Sequence, residues 1–433
     1  MEGHTIMDSY VRVLAGTPAR EEIRRPLEGP APTPSPGARS VAPARRQERR
    51  YRRAGRAASI PAWLLSAAMI LTGAHGPASP DHGTGPVAAA DPVRPAEQAL
   101  RESAAAFLLH WVDEDGRVVR RDQGNDTVSE GQAYGLLISA AVGDERSFQK
   151  IWTWTRDHLM REDGLLSWHW SDGAVKDPAP ASDADLDTAR ALVRAGTLFG
   201  RPDLTAEGNR LAGRVMDKLT AETVHGRILL PGLWARQGPA LPYNPSYASP
   251  AAFDILGAST GDARWSELST GTSRVTASLL AAGPLLPDWA RIRADGSAQP
   301  VTGPAGTDGP GLYSYDAARV PVRFSESCLP ADVAVAAHSA TALGTGTALG
   351  TGRQATSLDL SGTRMAGEEH PVFYVARAAA RAAAGDRPGA RADLGRAETL
   401  NSIHPTYYGT AWIALGRILL DSRVLGGCPK LSS

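Results

Sequence analysis

Residues 127–139 of this 433-residue chain read TVSEGQAYGLLIS. Ser129 and Gln132 have the spacing of a capping box, which predicts that a helix begins here. Glu130 then lies in the first helical turn, where the helix dipole favours a negative charge. Glu130 is therefore either an ordinary residue of a helix start or a carboxyl that the helix places for chemistry. Small and aliphatic side chains recur behind it at helical spacing and predict a buried stripe, at Ala133, Leu136, Leu137 and Ala140.

The stretch from Pro95 to Val424 is dominated by the same helical spacing of apolar residues. Strand signals are few, and the sequence shows no repeat of ~34 to 47 residues of the kind that builds a solenoid. The pattern therefore predicts an all-α fold in which helical hairpins close into a toroid or barrel. The predicted helices are Ala96–Trp111, Glu130–Val142, Arg146–Leu159, Asp183–Leu198, Leu204–Thr220, Ala263–Leu280, Ala331–Leu343, Val372–Ala384 and Tyr408–Leu420.

Two stretches predict long loops between helices. Residues 293–311 are rich in Gly and Pro, and residues 341–352 contain the sequence TALGTG twice. Gly and Pro interrupt regular structure, so both stretches are expected to lie between elements. We interpret the duplication as a surface loop without a functional role.

The amino-terminal segment predicts a leader that precedes the folded domain. Residues 1–59 are rich in Pro and Arg and cannot build a core, which predicts a disordered basic leader. Residues 60–76, IPAWLLSAAMILTGAHG, follow it with an apolar core shorter than the ~20 residues that span a bilayer. We therefore expect residues 60–90 to be a signal peptide, or an uncleaved membrane anchor, with its linker. Residues 91–433 are expected to form one secreted or extracytoplasmic domain.

The charge and cysteine content point to no particular partner. The chain has 46 basic and 46 acidic side chains, so no net charge argues for nucleic acid. Its two cysteines, Cys328 and Cys428, could pair in an exported protein, although the sequence does not place them within reach of each other. Cys and His show no metal-ligand spacing, which gives no reason to expect a metal ion.

Three acidic residues share a position near a predicted helix start. Glu130, Asp183 and Asp316 each follow a serine or a Ser-Tyr pair, and Ser182 and Asp185 repeat the spacing of the capping box. Any one of these sites on its own is best interpreted as helix capping, since Ser and Asp are preferred there. In a barrel of alternating helices, however, helix starts can converge on one face and bring three carboxyls together.

Aromatic side chains accompany these carboxyls. Trp152 and Trp154 fit the core of an amphipathic helix, whereas Trp168 and Trp170 lie beside glycines and are candidates for ligand contact. Sugar rings stack their apolar faces on aromatic planes while their hydroxyls bind carboxylates, so this combination suits a polysaccharide site. The sequence contains no nucleophile elbow, phosphate loop or H-E-x-x-H motif, which leaves carboxylate chemistry as the best-supported enzymology. Further aromatics at element boundaries are Tyr243, Tyr247, Tyr313, Tyr315, Tyr407 and Tyr408.

Six motifs occur along the chain in an order that resembles a known enzyme family. They are TVSEGQAYGLLISAA, WTWTRDHL, ASDADLDTARALVRAGTLF, NPSYASP, SYDAARVP and PTYYGTAW. Together they resemble glycoside hydrolase family 8, in its bacterial endoglucanase branch, over roughly residues 95–425. The stretch from 181 to 199 is the most specific, because it is similar to the family signature around a central aspartate.

The resemblance implies an (α/α)6 barrel that cleaves β-1,4-linked glycans with inversion and without a metal or cofactor. By position, Glu130 matches the general acid, Asp316 the general base, and Asp183 the residue that holds the sugar at the cleavage site. An acid must carry a proton, which a helix start opposes, so we predict a crowded and partly desolvated Glu130. The candidate substrate-binding residues are Gln132, Tyr134, Trp168, Trp170, Tyr247, Tyr315, Arg319 and Tyr407.

The function expected from the resemblance is endo-acting hydrolysis of a cellulose-like β-1,4-glucan. Residues 91–433 would be the catalytic domain of a monomer, and residues 60–76 could anchor it to a membrane. One alternative is a catalytically weak glycan-binding accessory of polysaccharide biosynthesis. Others are a hydrolase of xylan, chitosan or mixed-linkage glucan on the same scaffold, and a helical-toroid polysaccharide lyase. Retention of all three carboxyls favours the hydrolase over the accessory.

Overall fold

The computed structural model describes residues 93–304, 306, 309–345 and 354–426. The leader predicted for residues 1–59 and the signal or anchor predicted for residues 60–90 lie outside the described residues, as do most of the TALGTG duplication and Cys428. Cys328 is disulfide-bonded. Within the described ranges, no helix is long and apolar enough to cross a membrane.

Twelve α-helices in the described part of the chain carry the fold. Nine of them correspond to the predicted helices, with ends that differ by up to three residues. In chain order they are α1 Val93–Trp111, α2 Ser129–Val142, α3 Glu145–Leu159, α4 Ser182–Leu198, α5 Pro202–Lys218, α6 Pro250–Thr260, α7 Arg264–Leu280, α8 Val320–Ser325, α9 Pro330–Thr345, α10 Pro371–Ala383, α11 Arg387–Ile403 and α12 Tyr407–Asp421.

Alternate helices form the inner ring of a barrel. Helix α2 packs on α4, contact then passes through α6, α8, α10 and α12 in turn, and α12 returns to α2. The odd-numbered helices pack outside this ring, each against one or both of its neighbours in the chain, and α1 also packs against α12. This arrangement is an (α/α)6 barrel, which confirms the predicted fold.

Burial distinguishes the inner helices from the outer ones. Every residue of α2 from Gly131 to Ala140 is buried, because an inner helix meets other helices on all sides. Outer helix α3 instead has one apolar face, which includes Phe148, Trp152 and Trp154, and an exposed charged face. The two tryptophans are therefore core residues, as predicted.

Three helices of the structure are not predicted from the sequence. Val320–Ser325 has only 6 residues, which is too short to show helical periodicity. Arg387–Ile403 buries a narrow face of mostly small side chains. Because alanine also occurs on its exposed side, the apolar periodicity that predicts a helix is weak there. Pro250–Thr260 is buried on most positions, and its start is marked by Pro at the first turn and by Ser249, whose side chain accepts a hydrogen bond from the Ala252 amide.

Short strands in the connections form four small antiparallel sheets, ordered β1-β2-β3, β4-β5, β6-β7-β8 and β11-β10-β9. The prediction of a continuous loop over residues 293–311 is wrong in its first half, because β7 and β8 pair there as a hairpin. The strands are β1 Thr127–Val128, β2 His169–Ser171, β3 Ala174–Asp177, β4 Thr220–Thr223, β5 Gly226–Leu229, β6 Ala240–Tyr243, β7 Trp289–Arg293, β8 Ala298–Val301, β9 Leu312–Tyr313, β10 Ser357–Asp359 and β11 Arg364–Ala366.

Candidate active site

The capping box predicted at the start of α2 is wrong. The helix begins at Ser129 without a side-chain cap. Gln132 instead accepts a hydrogen bond from the Val118 amide at 2.5 Å and donates one to Thr155 Oγ1 at 2.8 Å. Because Gln132 is fully buried, this predicted substrate-binding residue lies in the core and ties α2 to neighbouring backbone.

The other two acidic helix starts also lack their predicted caps. Helix α4 begins without a side-chain cap, and Asp185 accepts a hydrogen bond from the distant Leu166 amide at 2.8 Å. Asp316 precedes a short 3₁₀ helix, Ala317–Arg319, and its side chain makes no capping bond there either. The Asp316 carboxyl is therefore available for contacts across the barrel.

Arg319 gathers the three predicted catalytic carboxyls. Its side chain is 2% exposed. Nη1 donates to Glu130 Oε1 and, at 2.9 Å, to Asp183 Oδ2, while Nη2 donates to Asp316 Oδ1 at 2.5 Å. One buried positive charge thus serves three carboxyls, so the cluster is negatively charged unless it also holds protons. Among the described residues, no group of His, Cys, Asp and Glu is arranged to hold a metal ion.

Glu130 is half-buried beside a tyrosine. Its side chain is 23% exposed, and Tyr134 Oη donates to Glu130 Oε1 at 2.7 Å. Within the described chain, the contacts from Tyr134 and Arg319 both fall on this one oxygen. Neither of these two contacts engages Oε2, the other oxygen of the Glu130 carboxyl.

Asp183 is the most deeply buried of the three carboxyls. Its residue is 3% exposed. Burial raises the pKa of Asp183 to about 7, a rise that the Arg319 charge opposes and the Glu130 carboxyl reinforces. Asp183 is therefore largely protonated at weakly acidic pH.

This raised pKa has a consequence for stability. Because the ordinary pKa of aspartate is 3.8, the folded protein binds an additional proton at Asp183 between about pH 4 and pH 7. The free energy of unfolding is expected to fall as the pH rises through this window, by up to about 1.4 kcal/mol per pH unit for one group. Asp183→Asn, which mimics the protonated side chain, should flatten this slope. Thermal unfolding of both proteins at about pH 4.5, 6 and 7.5 checks the expectation, and parallel slopes would contradict it.

Asp316 lies next to two neutral donors. Asn244 Nδ2 donates to Asp316 Oδ2 at 3.0 Å, and the Trp289 side chain donates to the same carboxyl. Burial raises the pKa of Asp316, whereas the Arg319 charge opposes the rise. The Asp316 side chain keeps 22% of its surface exposed, so part of the carboxyl can reach a water molecule.

Three residues of this site are absent from the predicted set. Asn244 could have been found, because it opens the NPSYASP motif; its Oδ1 accepts a hydrogen bond from the Ser246 amide at 3.0 Å. Asp288 and Trp289 lie where a connection enters β7, and no periodic pattern marks them. Their role depends on the folded path of the Asp316 loop, which local sequence does not reveal.

The predicted tyrosines divide into a buried and an exposed group. Tyr134, Tyr247 and Tyr407 are buried. The Tyr247 ring centre lies 5.2 Å from the Arg319 guanidinium carbon, so this ring stabilises the central charge. Tyr315 is 38% exposed, and of the four it is the best placed to contact a sugar directly.

The predicted tryptophans stand on either side of the first residue of β2. The Trp168 carbonyl accepts a hydrogen bond from the Ser129 amide at 2.9 Å, which places Trp168 beside the start of α2. The Trp170 ring instead meets Trp154 edge-on at 5.3 Å between ring centres and lies under the Arg117 guanidinium. Both are partly exposed, but Trp168 is the one that borders Glu130.

Tyr407 is wedged against the start of α2. Its ring centre lies 6.2 Å from those of Phe107 and Trp111, and its hydroxyl has no hydrogen-bond partner among the described residues. A β-carbon at Gly131 would lie 2.7 Å from that hydroxyl. Glycine is therefore required beside Glu130 because the tyrosine occupies the space of a side chain.

Gly131→Ala is expected to lower the free energy of unfolding by ~1–3 kcal/mol, the usual cost of overpacking. It should also displace Glu130 and thereby lower kcat roughly tenfold. Tyr407→Phe removes the hydroxyl, so the double variant should recover a large part of that loss. Turnover and thermal unfolding of the two single variants and the double variant test this coupling. Strictly additive losses would show that Gly131 and Tyr407 do not constrain each other.

Comparison with known proteins identifies the family. The model of Glycosyl hydrolases family 8 matches residues 102–413. The chain belongs to glycosyl hydrolase family 8. It is therefore a glycosidase of a family that acts on β-glucan polysaccharides.

Curated relatives of this family 8 chain include endoglucanases. A probable endoglucanase of Novacetimonas hansenii is 34% identical over 241 residues, which make up 53% of this chain and 68% of that protein. An endoglucanase of Pseudomonas fluorescens is 32% identical over 229 residues, with 49% of this chain and 56% of that protein covered. The chain thus matches between about half and two thirds of the length of these relatives.

Solved structures of family 8 enzymes share the barrel. The endo-beta-1,4-glucanase CMCax from Acetobacter xylinum aligns with a TM-score of 0.62 at 28% identity, over 76% of this chain and 99% of that one. An endoglucanase from Komagataeibacter sucrofermentans aligns with a TM-score of 0.60 at 26% identity, over 74% and 97%. These likenesses agree with the ring of inner and outer helices described above.

Proposed function

We propose that this family 8 glycosidase is an endo-acting β-1,4-glucanase that inverts the anomeric carbon. Glu130 is the general acid, Asp316 is the general base, and Asp183 holds the sugar at the cleavage point. The observation that carries the proposal is the convergence of all three carboxyls on the Arg319 guanidinium. Glycoside hydrolysis by inversion requires two carboxyls with opposite proton tasks.

The acid step uses the free oxygen of Glu130. Tyr134 and Arg319 hold Oε1, so the proton resides on Oε2. This proton moves to the glycosidic oxygen as the bond between that oxygen and the anomeric carbon breaks. The leaving sugar departs as a neutral alcohol, and Glu130 is left as a carboxylate paired with Arg319.

The base step uses Asp316. A water molecule attacks the anomeric carbon from the face opposite the leaving group, and Asp316 takes one of its protons. The raised pKa of Asp316 makes its carboxylate a stronger base than an exposed aspartate. Because Arg319 binds Glu130 and Asp316 through different nitrogens, one rigid group fixes the position of both acid and base.

Asp183 differs from the other two carboxyls in its burial. It is almost fully enclosed, and at weakly acidic pH it is largely protonated. A protonated carboxyl can both donate to and accept from a sugar hydroxyl. This supports a role in binding the sugar ring rather than in transferring the reaction's protons.

The β-1,4-glucan substrate is supported by the relatives. The relative at 34% identity is a probable endoglucanase and the one at 32% identity an endoglucanase, and the structure at 28% identity is that of an endo-beta-1,4-glucanase. The structure of Rex8A from Paenibacillus barcinonensis complexed with xylose is 16% identical, which relates it to this chain in fold alone.

A substrate panel tests the proposed function. The purified protein is incubated with carboxymethyl cellulose, mixed-linkage glucan, xylan and chitosan, and both viscosity and new reducing ends are recorded. An endoglucanase should lower the viscosity of carboxymethyl cellulose early, while few reducing ends have formed. Faster cleavage of xylan or chitosan would overturn the substrate assignment, and binding to cellulose without new reducing ends would favour a glycan-binding accessory.

A further inference from the structure

The loop that carries Asp316 is held by a second aspartate to which the reaction assigns no role. Asp288 Oδ1 accepts a hydrogen bond from the Ser314 amide at 2.9 Å and another from the Ala317 amide at 2.8 Å. These amides lie on the two sides of Asp316 in the sequence. One carboxyl oxygen of Asp288 therefore fixes the backbone before and after the proposed base.

The Ala317 amide needs this acceptor because it begins a helix. The 3₁₀ helix Ala317–Arg319 starts directly after Asp316, and the first amides of a helix have no partner within it. A residue in the position of Asp316 would ordinarily supply a side-chain cap. The oxygens of Asp316 are instead engaged by Arg319 and Asn244, so the acceptor must come from elsewhere.

We propose that Asp288 is a positioning residue of the reaction, which caps this helix start in place of Asp316 and thereby leaves the Asp316 carboxylate free to act as general base. The inference rests on the proposed function, because it assigns the base role to Asp316. Asp288 acts through the backbone of the loop and does not touch the reacting atoms.

The neighbouring residue strengthens the assignment. Trp289, next in the chain, donates a hydrogen bond to the Asp316 carboxyl itself. Asp288 therefore orients the backbone of the base, while Trp289 orients its side chain. The Asp288 amide is in turn bound to the Leu312 carbonyl at 2.8 Å, which ties this pair of residues to the strand that leads into the loop.

The protonation of Asp288 determines which substitution is conservative. Burial, and then the nearby Asp316 carboxyl, raise the pKa of Asp288 to about 8. Asp288 is thus largely neutral at weakly acidic pH, and its carbonyl oxygen still accepts both amide hydrogens. Asparagine has the same shape, the same acceptor and the same charge.

The test compares Asp288→Ala with Asp288→Asn at about pH 6. The alanine variant should lose at least about 30-fold in kcat while KM changes by less than about threefold, since the base is misplaced and the sugar contacts remain. The asparagine variant should keep kcat within about threefold of the parent. Thermal unfolding confirms that each protein is folded; should the alanine variant not fold, the asparagine variant carries the test.

Asp359 provides a matched control. Its Oδ1 also accepts two backbone amide hydrogens, from Ser361 at 2.9 Å and Thr363 at 2.8 Å, but these amides flank no proposed catalytic residue. Asp359→Ala should leave kcat unchanged. Three outcomes would each overturn the proposal. They are a loss in the Asp359→Ala control equal to that in Asp288→Ala, full activity of Asp288→Ala, and a kcat of Asp288→Asn that falls by more than about threefold.

The same measurements separate this inference from the proposed function. If the Glu130→Gln and Asp316→Asn variants are active, the acid role of Glu130 and the base role of Asp316 are wrong, and the proposed function is overturned. If those two variants are inactive while Asp288→Ala turns over normally, the proposed function stands and only the positioning role of Asp288 is overturned.

Discussion

Glu130→Gln is expected to lower kcat on β-1,4-glucan by about 10²–10⁴-fold and to leave KM within about threefold. Glutamine keeps the size of the side chain, and its oxygen can still accept hydrogen bonds from Tyr134 and Arg319. It carries no acidic proton, however. The loss should therefore report missing proton donation in a protein that remains folded.

Two comparisons make this result specific for an acid. An aryl glycoside with an acidic phenol as leaving group needs little protonation, so the loss should be much smaller on that substrate. Glu145 is a matched control because it too lies in the first turn of a helix, where it pairs with Arg201 at the surface. Glu145→Gln should be fully active. Near-normal hydrolysis by the Glu130→Gln variant, or equal losses on both substrates, would contradict the assignment.

Arg319→Met is expected to abolish turnover and to destabilise the protein by about 3–5 kcal/mol near neutral pH. The substitution leaves Glu130, Asp183 and Asp316 without the buried positive charge that they share. The pKa values of Asp183 and Asp316 should then rise further, because the Arg319 charge no longer opposes the rise that burial causes. The deficit in stability should shrink as the pH is lowered and the carboxyls become protonated. Urea unfolding of variant and parent at about pH 5 and pH 8 measures this difference.

Arg377 supplies the control for loss of a buried arginine. It is 3% exposed and pairs with Asp393 away from the three carboxyls, with Nε at 2.8 Å from the carboxylate. Arg377→Met should also destabilise the fold, but the molecules that remain folded should turn over normally. A full loss of kcat in this control would mean that turnover responds to general destabilisation and not to the Arg319 cluster.

The helices are predicted well where apolar and polar side chains alternate clearly along the sequence. Helical spacing predicts the amphipathic outer helix Glu145–Leu159 and the apolar inner helix Ser129–Val142 to within one residue at either end. The absence of a repeat favours ring closure over a solenoid, and the inner ring does close. Helix Arg387–Ile403 is missed because its buried face is narrow and mostly small, so burial depends on neighbours that are distant in sequence.

The three carboxyls that meet at Arg319 are predictable from the sequence, but their contacts are not. Three carboxyls at helix starts, together with the family resemblance, select Glu130, Asp183 and Asp316. The spacing of Ser129 and Gln132 predicts a capping box, but in the structure Gln132 forms hydrogen bonds with residues of other elements. Such long-range partners leave no trace in the spacing of a single sequence.

Capping and catalysis separate in a consistent way at these helix starts. Gln132 ties its helix to the core, Asp185 accepts a distant amide, and Asp288 caps for Asp316. Only Asp288 among these three residues caps a helix start, whereas Gln132 and Asp185 bind amides of other elements. The carboxyls of Glu130, Asp183 and Asp316 are directed to Arg319. Export of the enzyme through residues 60–76 stays a prediction, since that segment lies outside the described chain.

Product stereochemistry tests the acid–base assignment most directly. A soluble β-1,4-gluco-oligosaccharide is hydrolysed by the parent protein inside an NMR tube, and the anomeric protons of the new reducing ends are followed before mutarotation mixes them. Direct attack by a water that Asp316 activates predicts that the α-anomer forms first. Initial release of the β-anomer would show a covalent intermediate with retention, and it would contradict the roles assigned to Glu130 and Asp316.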